Sequence, residues 1–261
     1  MKIYTYYQNI NHSSQKKLVD LWKTSWSNHG YDPIVLNLED AKKHLYFETL
    51  NSEMRRIHKE ITNKEISEYG MSCWFRWLAY ATQAEEKFYV SDYDYININF
   101  KPCEPDDQLH LMVWHCPCFV SGSPTQFDQL CHDFVSVSND RVDDLKNLYS
   151  LGKKTARYHD QDFFQFNLSE EFNDKGPELQ KKLGLKVTAS PHKHCHSYDP
   201  ISKTISPRLH SWLKGKAKKD LFQTAHFSHT HTVKIAKKYP KLFKGWNFED
   251  VRVNIVERSI T

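Results

Sequence analysis

The stretch WFRWLAYATQAEEKFYVSDYDYIN (74–97) decides how this chain is read. It opens as a helix that is apolar on nearly every side, which marks it as buried, with Arg76 the one cation in its middle. Four strand-forming residues follow, FYVS (88–91), and then two aspartates one residue apart, Asp92 and Asp94. An apolar helix running into a short apolar strand that ends on polar residues is the repeating unit of an α/β sheet. Two carboxylates so close repel each other unless water or a cation lies between them. The pair therefore marks either a solvated turn or half of a cation site.

The same alternation continues on both sides. KIYTYY (2–7) is a first strand, followed by a helix with Ser13 or Ser14 as its N-cap and Gly30 as its stop. Leu18, Leu21, Trp22, Ser25 and Trp26 fall on one face of that helix. DPIVLNLED (32–40) is a second strand, which makes the first forty residues a βαβ unit. Residues 46–69 and 72–83 are expected as helices, LHLMVWH (109–115) as a fourth strand and CPCFVSGSP (116–124) as a loop after it. Helices are expected over 124–135, 141–151 and 159–167, late strands over 185–189 and 222–227, and a mostly helical tail over 229–258. The pattern predicts an α/β fold with a mainly parallel central sheet flanked by helices, as a single domain over 1–261.

Bulk properties narrow the function classes. The 36 Lys and Arg stand against 32 Asp and Glu, too even a balance for a nucleic-acid partner, and the run Lys214–Lys219 reads as a solvated face. Six cysteines are too few for a disulfide scaffold, and the start MKIYTYYQN lacks the apolar core of a leader peptide. No run reaches membrane-spanning length, so the expectation is a cytoplasmic protein without a transmembrane segment. PHKHCH (191–196) and Cys116-x-Cys118 match no standard zinc spacing, and the former reads as a basic, His-rich acceptor-binding loop.

In open α/β sheets ligands bind beyond the carboxyl ends of the strands, where strand order reverses. Asp92 and Asp94 stand at such an end. Carboxylate oxygens suit Mg²⁺ and Mn²⁺, and Mg²⁺ is commonly held by one or two carboxylates together with substrate phosphates. A metal–diphosphate site is what this pair can build.

Taken together, WFRWLAYATQAEEKFYVSDYDYIN, HDQDFFQFN (159–167) and TAHFSH (224–229) resemble, in that order, the motifs of nucleotide-sugar glycosyltransferases of the GT-A fold. The second segment is similar to the Asp-Gln-Asp segment of the glycogenin-like and lipopolysaccharide galactosyltransferase-like enzymes. The third is similar to their late His-Phe segment. The resemblance implies a GT-A-like domain with a nucleotide-binding half (1–100) and an acceptor-binding half (101–261). It implies a metal-dependent enzyme that moves a sugar from a nucleotide-sugar donor, such as a UDP-sugar, to a hydroxyl of a carbohydrate acceptor. Asp94 and His226 would bind Mn²⁺ or Mg²⁺ directly, with Asp92 binding the metal through water or else the ribose of the nucleotide; His229 is the alternative to His226. Asp160 and Gln161 would be the catalytic pair at the reacting sugar carbon, with Asp162 as the alternative to Asp160. Tyr6, Tyr7, Asn37, Arg76, Tyr93, Gly122 and Ser123 would contact the donor nucleotide, its diphosphate or its sugar.

The segment after His226 runs SHTHTVKIAKKYP, without the Gly and Lys-Pro-Trp usual in the retaining family, so retention and inversion both stay open. A non-catalytic binding domain and a metal-dependent nucleotidyltransferase are the rival readings, although no Gly-rich phosphate cradle is present.

Overall fold

A computed structural model describes residues 1–10, 13–97, 100–113, 116–150 and 157–187, together with the backbone of three short strands further on. The chain opens with β1 (Lys2–Tyr6), α1 (Ser13–Ser27) and β2 (Asp32–Leu36), the βαβ unit expected from the first forty residues. Then come α2 (Leu38–Ala41), α3 (Phe47–Thr62) and α4 (Glu68–Ala81), which lead into β3 (Phe88–Ser91) and β4 (Tyr95–Asn97). The helix expected over 46–69 is interrupted. Asn63 takes the left-handed conformation (φ 55°) and closes α3, and Ser67 opens α4 by accepting from the Gly70 amide at 3.1 Å. After β4 follow β5 (Leu109–Val113), β6 (Cys116–Gly122), α5 (Pro124–Asp140), α6 (Val142–Ser150), α7 (Asp160–Leu168), α8 (Gly176–Lys182) and β7 (Leu185–Val187). The last described pieces are β8 (Tyr198–Asp199), β9 (Thr204–Ile205) and β10 (Thr224–His226). The helical tail expected over 229–258, the PHKHCH segment and the basic run Lys214–Lys219 lie outside the described residues.

Six strands form one sheet in the order β2-β1-β3-β6-β5-β7. β1 pairs in parallel with β2 and β3, and β5 in parallel with β7, but β6 is antiparallel to both of its neighbours. The architecture is thus α/β as expected, with a mixed sheet rather than a mainly parallel one. The physical reason is short: β5 turns back directly into β6, and so tight a connection can only return antiparallel. CPCFVSGSP, expected as a loop, is this reversed central strand plus the start of α5.

Helices cover the sheet through a core rich in rings. Trp74 and Trp77 of α4 are fully buried; the Trp77 ring lies 5.7 Å from both Phe134 and Phe164 and 6.0 Å from Phe127. On α1, the predicted stripe delivers Trp22 and Trp26 to the interior, where the Trp22 indole donates to Ser91 Oγ at 2.8 Å. Among the described residues no helix is long and apolar enough to cross a membrane.

Candidate functional site

The chain leaves β1 to form β2 on one side, then crosses back to place β3 on the other side of β1. The strand order therefore reverses between β1 and β3, and it is beyond the carboxyl ends at such a reversal that open α/β sheets bind their ligands. Tyr6 and Tyr7 close β1 there and Asp92 follows β3. Asp92 N donates to Cys118 O at 3.0 Å, and Tyr95 N donates to Asp92 O at 2.9 Å, folding 92–95 into a turn that ends the strand. Asp94 is buried inside that turn at 5% exposure. The solvated turn that a bare Asp-x-Asp pair permits is not what forms here.

α4 carries the chain from the carboxyl edge back to the start of β3, which brings Arg76 level with the aspartates. Its Nη1 donates to Asp92 Oδ1; its Nε and Nη2 reach Asp160 Oδ2 at 2.8 and 2.5 Å. One guanidinium thus bridges two carboxylates, using its fixed fork of donors. Burial works against the Arg76 cation, but Asp160 and then Asp92 outweigh it and hold it firmly charged. Arg76 Cζ also stands 5.3 Å from the centre of the Trp77 ring, within cation–π range.

Asp160 begins α7 and is 2% exposed. Besides Arg76 it accepts from Trp77 Nε1 at 2.8 Å on Oδ2 and from Gln161 N at 2.8 Å on Oδ1. Its two oxygens thus meet four N–H groups, so its lone pairs are engaged from within the protein. Gln161, by contrast, is exposed. Asp162 is buried and accepts from His159 N at 3.3 Å, and His159 Nδ1 stands 3.5 Å from Asp162 Oδ2 and 3.7 Å from Asp160 Oδ1.

The remaining expected site residues divide. Tyr6 is buried, its hydroxyl donating to Gln8 Oε1 at 3.0 Å. Tyr7 and Tyr93 meet edge to face at 5.7 Å beside the aspartates, and burial raises the phenol pKa of both. Asn37 stands at the carboxyl end of β2 but is spent on capping α2, accepting from Glu39 N at 2.8 Å. Gly122 and Ser123 belong to the opposite edge. Gly122 pairs with Phe88, the first residue of β3, about 13 Å along the strand from Asp92 at ~3.3 Å per residue. A Cβ on Gly122 would come within 2.7 Å of Leu109 Cδ1, and Ser123 caps α5 by accepting from Gln126 N at 3.3 Å. Both therefore have structural roles here, because the segment expected as a loop is a strand whose end lies at the amino edge of β3, away from Asp92.

The backbone of His226 pairs with Tyr95 in the β10–β4 ladder, one residue beyond Asp94 in sequence. Its side chain, and His229, lie outside the described residues. Among the described residues no three His, Cys, Asp or Glu side chains form a complete metal cage. Asp92 and Asp94 are hard oxygen donors of the kind Mg²⁺ and Mn²⁺ prefer, and a diphosphate ligand would have to complete the shell.

Two residues escaped the sequence reading. Trp77 reads as pure core from its spacing, yet its N–H fixes Asp160; Tyr69, in the first turn of α4, is one of three exposed large hydrophobic side chains among the described residues. No protein-family model matches this chain, and a search of curated proteins returns no relative.

Proposed function

We propose that the protein is a metal-dependent glycosyltransferase that moves a sugar from a nucleotide-sugar donor, of which a UDP-sugar is the first to try, to a hydroxyl on a carbohydrate acceptor. The observation that carries this reading is the guanidinium of Arg76 joining Asp92 to Asp160 at the carboxyl edge, where the strand order reverses. Two of the three segments singled out in the sequence as one motif set supply that edge: 74–97, with its Arg-bearing helix and Asp-x-Asp turn, and HDQDFF, whose aspartate lies 84 positions after Arg76. Pairing of the third, His-bearing segment with β4 supports the same reading.

Asp92 and Asp94, with the His226 imidazole, are the residues that would hold Mn²⁺ or Mg²⁺. Bound there, the cation would supply Lewis-acid stabilisation of the negative charge on a departing diphosphate. Arg76 neutralises Asp92 and Asp160 and fixes their separation. Asp160, with four N–H donors on its oxygens, anchors Arg76 and the first turn of α7 rather than taking a proton. Gln161, exposed beside it, is the member of the pair that would contact a donor sugar. Tyr7 and Tyr93, edge to face, would wall the side nearest β1.

Thermal shift tests this directly. UDP-sugars with Mn²⁺ should raise the melting temperature, EDTA should abolish the rise, and Asp94→Asn should remove it while leaving the unliganded melting temperature within a few degrees. A chain that responds to no nucleotide-sugar, or an Asp94→Asn variant that responds as well as the parent, sinks the proposal.

A further inference from the structure

A cavity of about 870 Å³ opens between the end of α5, α6, the turn after α7 and α8, within the size range of small-ligand sites. Arg141, the C-cap of α5, ties it to the far end of α7: Nη1 donates to Phe166 O and to Asn167 Oδ1, both at 2.8 Å. Asp160 opens that same helix, so the cavity and the Arg76 bridge stand at opposite ends of a 9-residue helix, about 13 Å long at ~1.5 Å per residue. The floor is apolar. Val137, Leu148, Phe172 and Leu179 line it and pack against the main core. Phe172 is held twice, its ring edge to face with Phe166 at 5.0 Å and its carbonyl accepting from Arg141 Nη2 at 3.4 Å. The rim is polar and unspent. Asp140, Asp174 and Glu178 bring carboxylates, Lys175 and Lys182 ammoniums and Asn147 an amide, and none of these side chains has a hydrogen bond or ion pair among the described residues. Asp144, by contrast, stands 3.5 Å from Arg141 Nε. Four carboxylates face three cations, which leaves the cavity close to neutral.

We infer that this cavity is a binding site for a neutral carbohydrate, with C–H groups of the sugar against Phe172 and its hydroxyls on the rim. The chemistry selects this class. Every hydroxyl both donates and accepts, so one polyol can use the carboxylates, the ammoniums and the amide together. A phosphate would meet four carboxylates, and a cationic ligand would meet two unpaired lysines. A wholly apolar ligand would strip water from the rim charges and return no hydrogen bond. Carbohydrate binding here is independent of the transferase reading above, because the two sets of residues share no member.

The test is saturation-transfer NMR and isothermal titration with maltose, lactose and diacetylchitobiose, on the full chain without nucleotide or metal. At least one sugar should bind. Glu178→Ala and Asn147→Ala should each weaken it about three- to tenfold, the loss of one hydrogen bond, and both should melt with the parent because both positions are exposed. Phe172→Leu should weaken it by a similar factor through loss of the ring. Raising the ionic strength should leave the affinity within about twofold, since a neutral ligand carries no charge to screen. Binding to none of the three sugars, or binding that Glu178→Ala and Asn147→Ala both leave unchanged, overturns the inference. So does a preference for a sugar phosphate or a lysine-rich peptide that salt abolishes. The two readings fail separately. Asp94→Asn, which removes the donor response, should bind the sugar as the parent does, and Glu178→Ala should leave the donor response intact.

Discussion

At the carboxyl edge of the sheet, Arg76 lies between Asp92 and Asp160 with side-chain exposures of 12%, 28% and 2%. At the amino edge of the same strands, Lys2 pairs with Glu85 at 43% and 24%, and Lys87 with Asp107 at 31% and 91%. The amino-edge pairs sit in water, lose side-chain entropy on pairing and are screened by salt, so they add little to stability. The carboxyl-edge cluster took several charges out of water, which costs more than a well-packed apolar core of equal volume would. A fold that needed only stability would place its charges as the amino edge does. The proposed ligand site accounts for a partly buried charge network at this point of strand-order reversal.

Substitutions measure that difference. Arg76→Met leaves the buried Asp160 and the partly exposed Asp92 carboxylates facing each other and should cost about 3–5 kcal/mol in urea unfolding. A loss below about 1 kcal/mol, the surface range, would mean that the carboxyl edge is as well solvated as the amino edge. Trp77→Phe keeps the ring beneath Arg76 but removes one donor to Asp160; it should cost about 1.5–3 kcal/mol, the range for a hydrogen bond to a charged group. In an Asp160→Asn background the same change should cost less, because the charge on the acceptor is gone, and simple additivity in that double-mutant cycle would separate Trp77 from the network.

Titration separates the two edges in a third way. His58 of α3 is 2% exposed and feels His159 and Asp162 behind the site. Burial lowers its pKa from 6.5 against the opposing pull of the Lys64 carbonyl, 2.9 Å from Nδ1. The folded state then resists a proton that the unfolded chain accepts. Stability should therefore fall as pH drops below 6.5, and His58→Asn should flatten that slope in urea titrations at pH 7.0 and 5.5. The smallest effect belongs to the amino edge. Lys87→Gln should leave the melting temperature unchanged at physiological salt, and a clear drop would erase the contrast between the edges.

Legibility followed the same division. The Trp22–Trp26 stripe, the β1–α1–β2 unit and the Asp92–Asp94 strand end were readable because periodicity and chain order encode them locally. The reversal of β6 was hidden by Pro117 and Gly122, which punctuate the segment like a loop and leave only Phe119, Val120 and Ser121 to signal a strand. Gly122 and Ser123 were misplaced for that reason. The second strand, expected over 32–40, stops at Leu36, and Asn37 just beyond it is used to cap α2.

The sequence by itself determined the class of fold and the position of the carboxylate pair, since both rest on residue type and spacing within about twenty positions. Tertiary structure alone decided that Asp160 meets Arg76 and that Trp77 donates to their bridge. A contact across 84 positions leaves no period in the chain. It exists because α4 and α7 pack on one side of a sheet whose strand directions are chosen by backbone pairing, and pairing registers no preference until the strands have met.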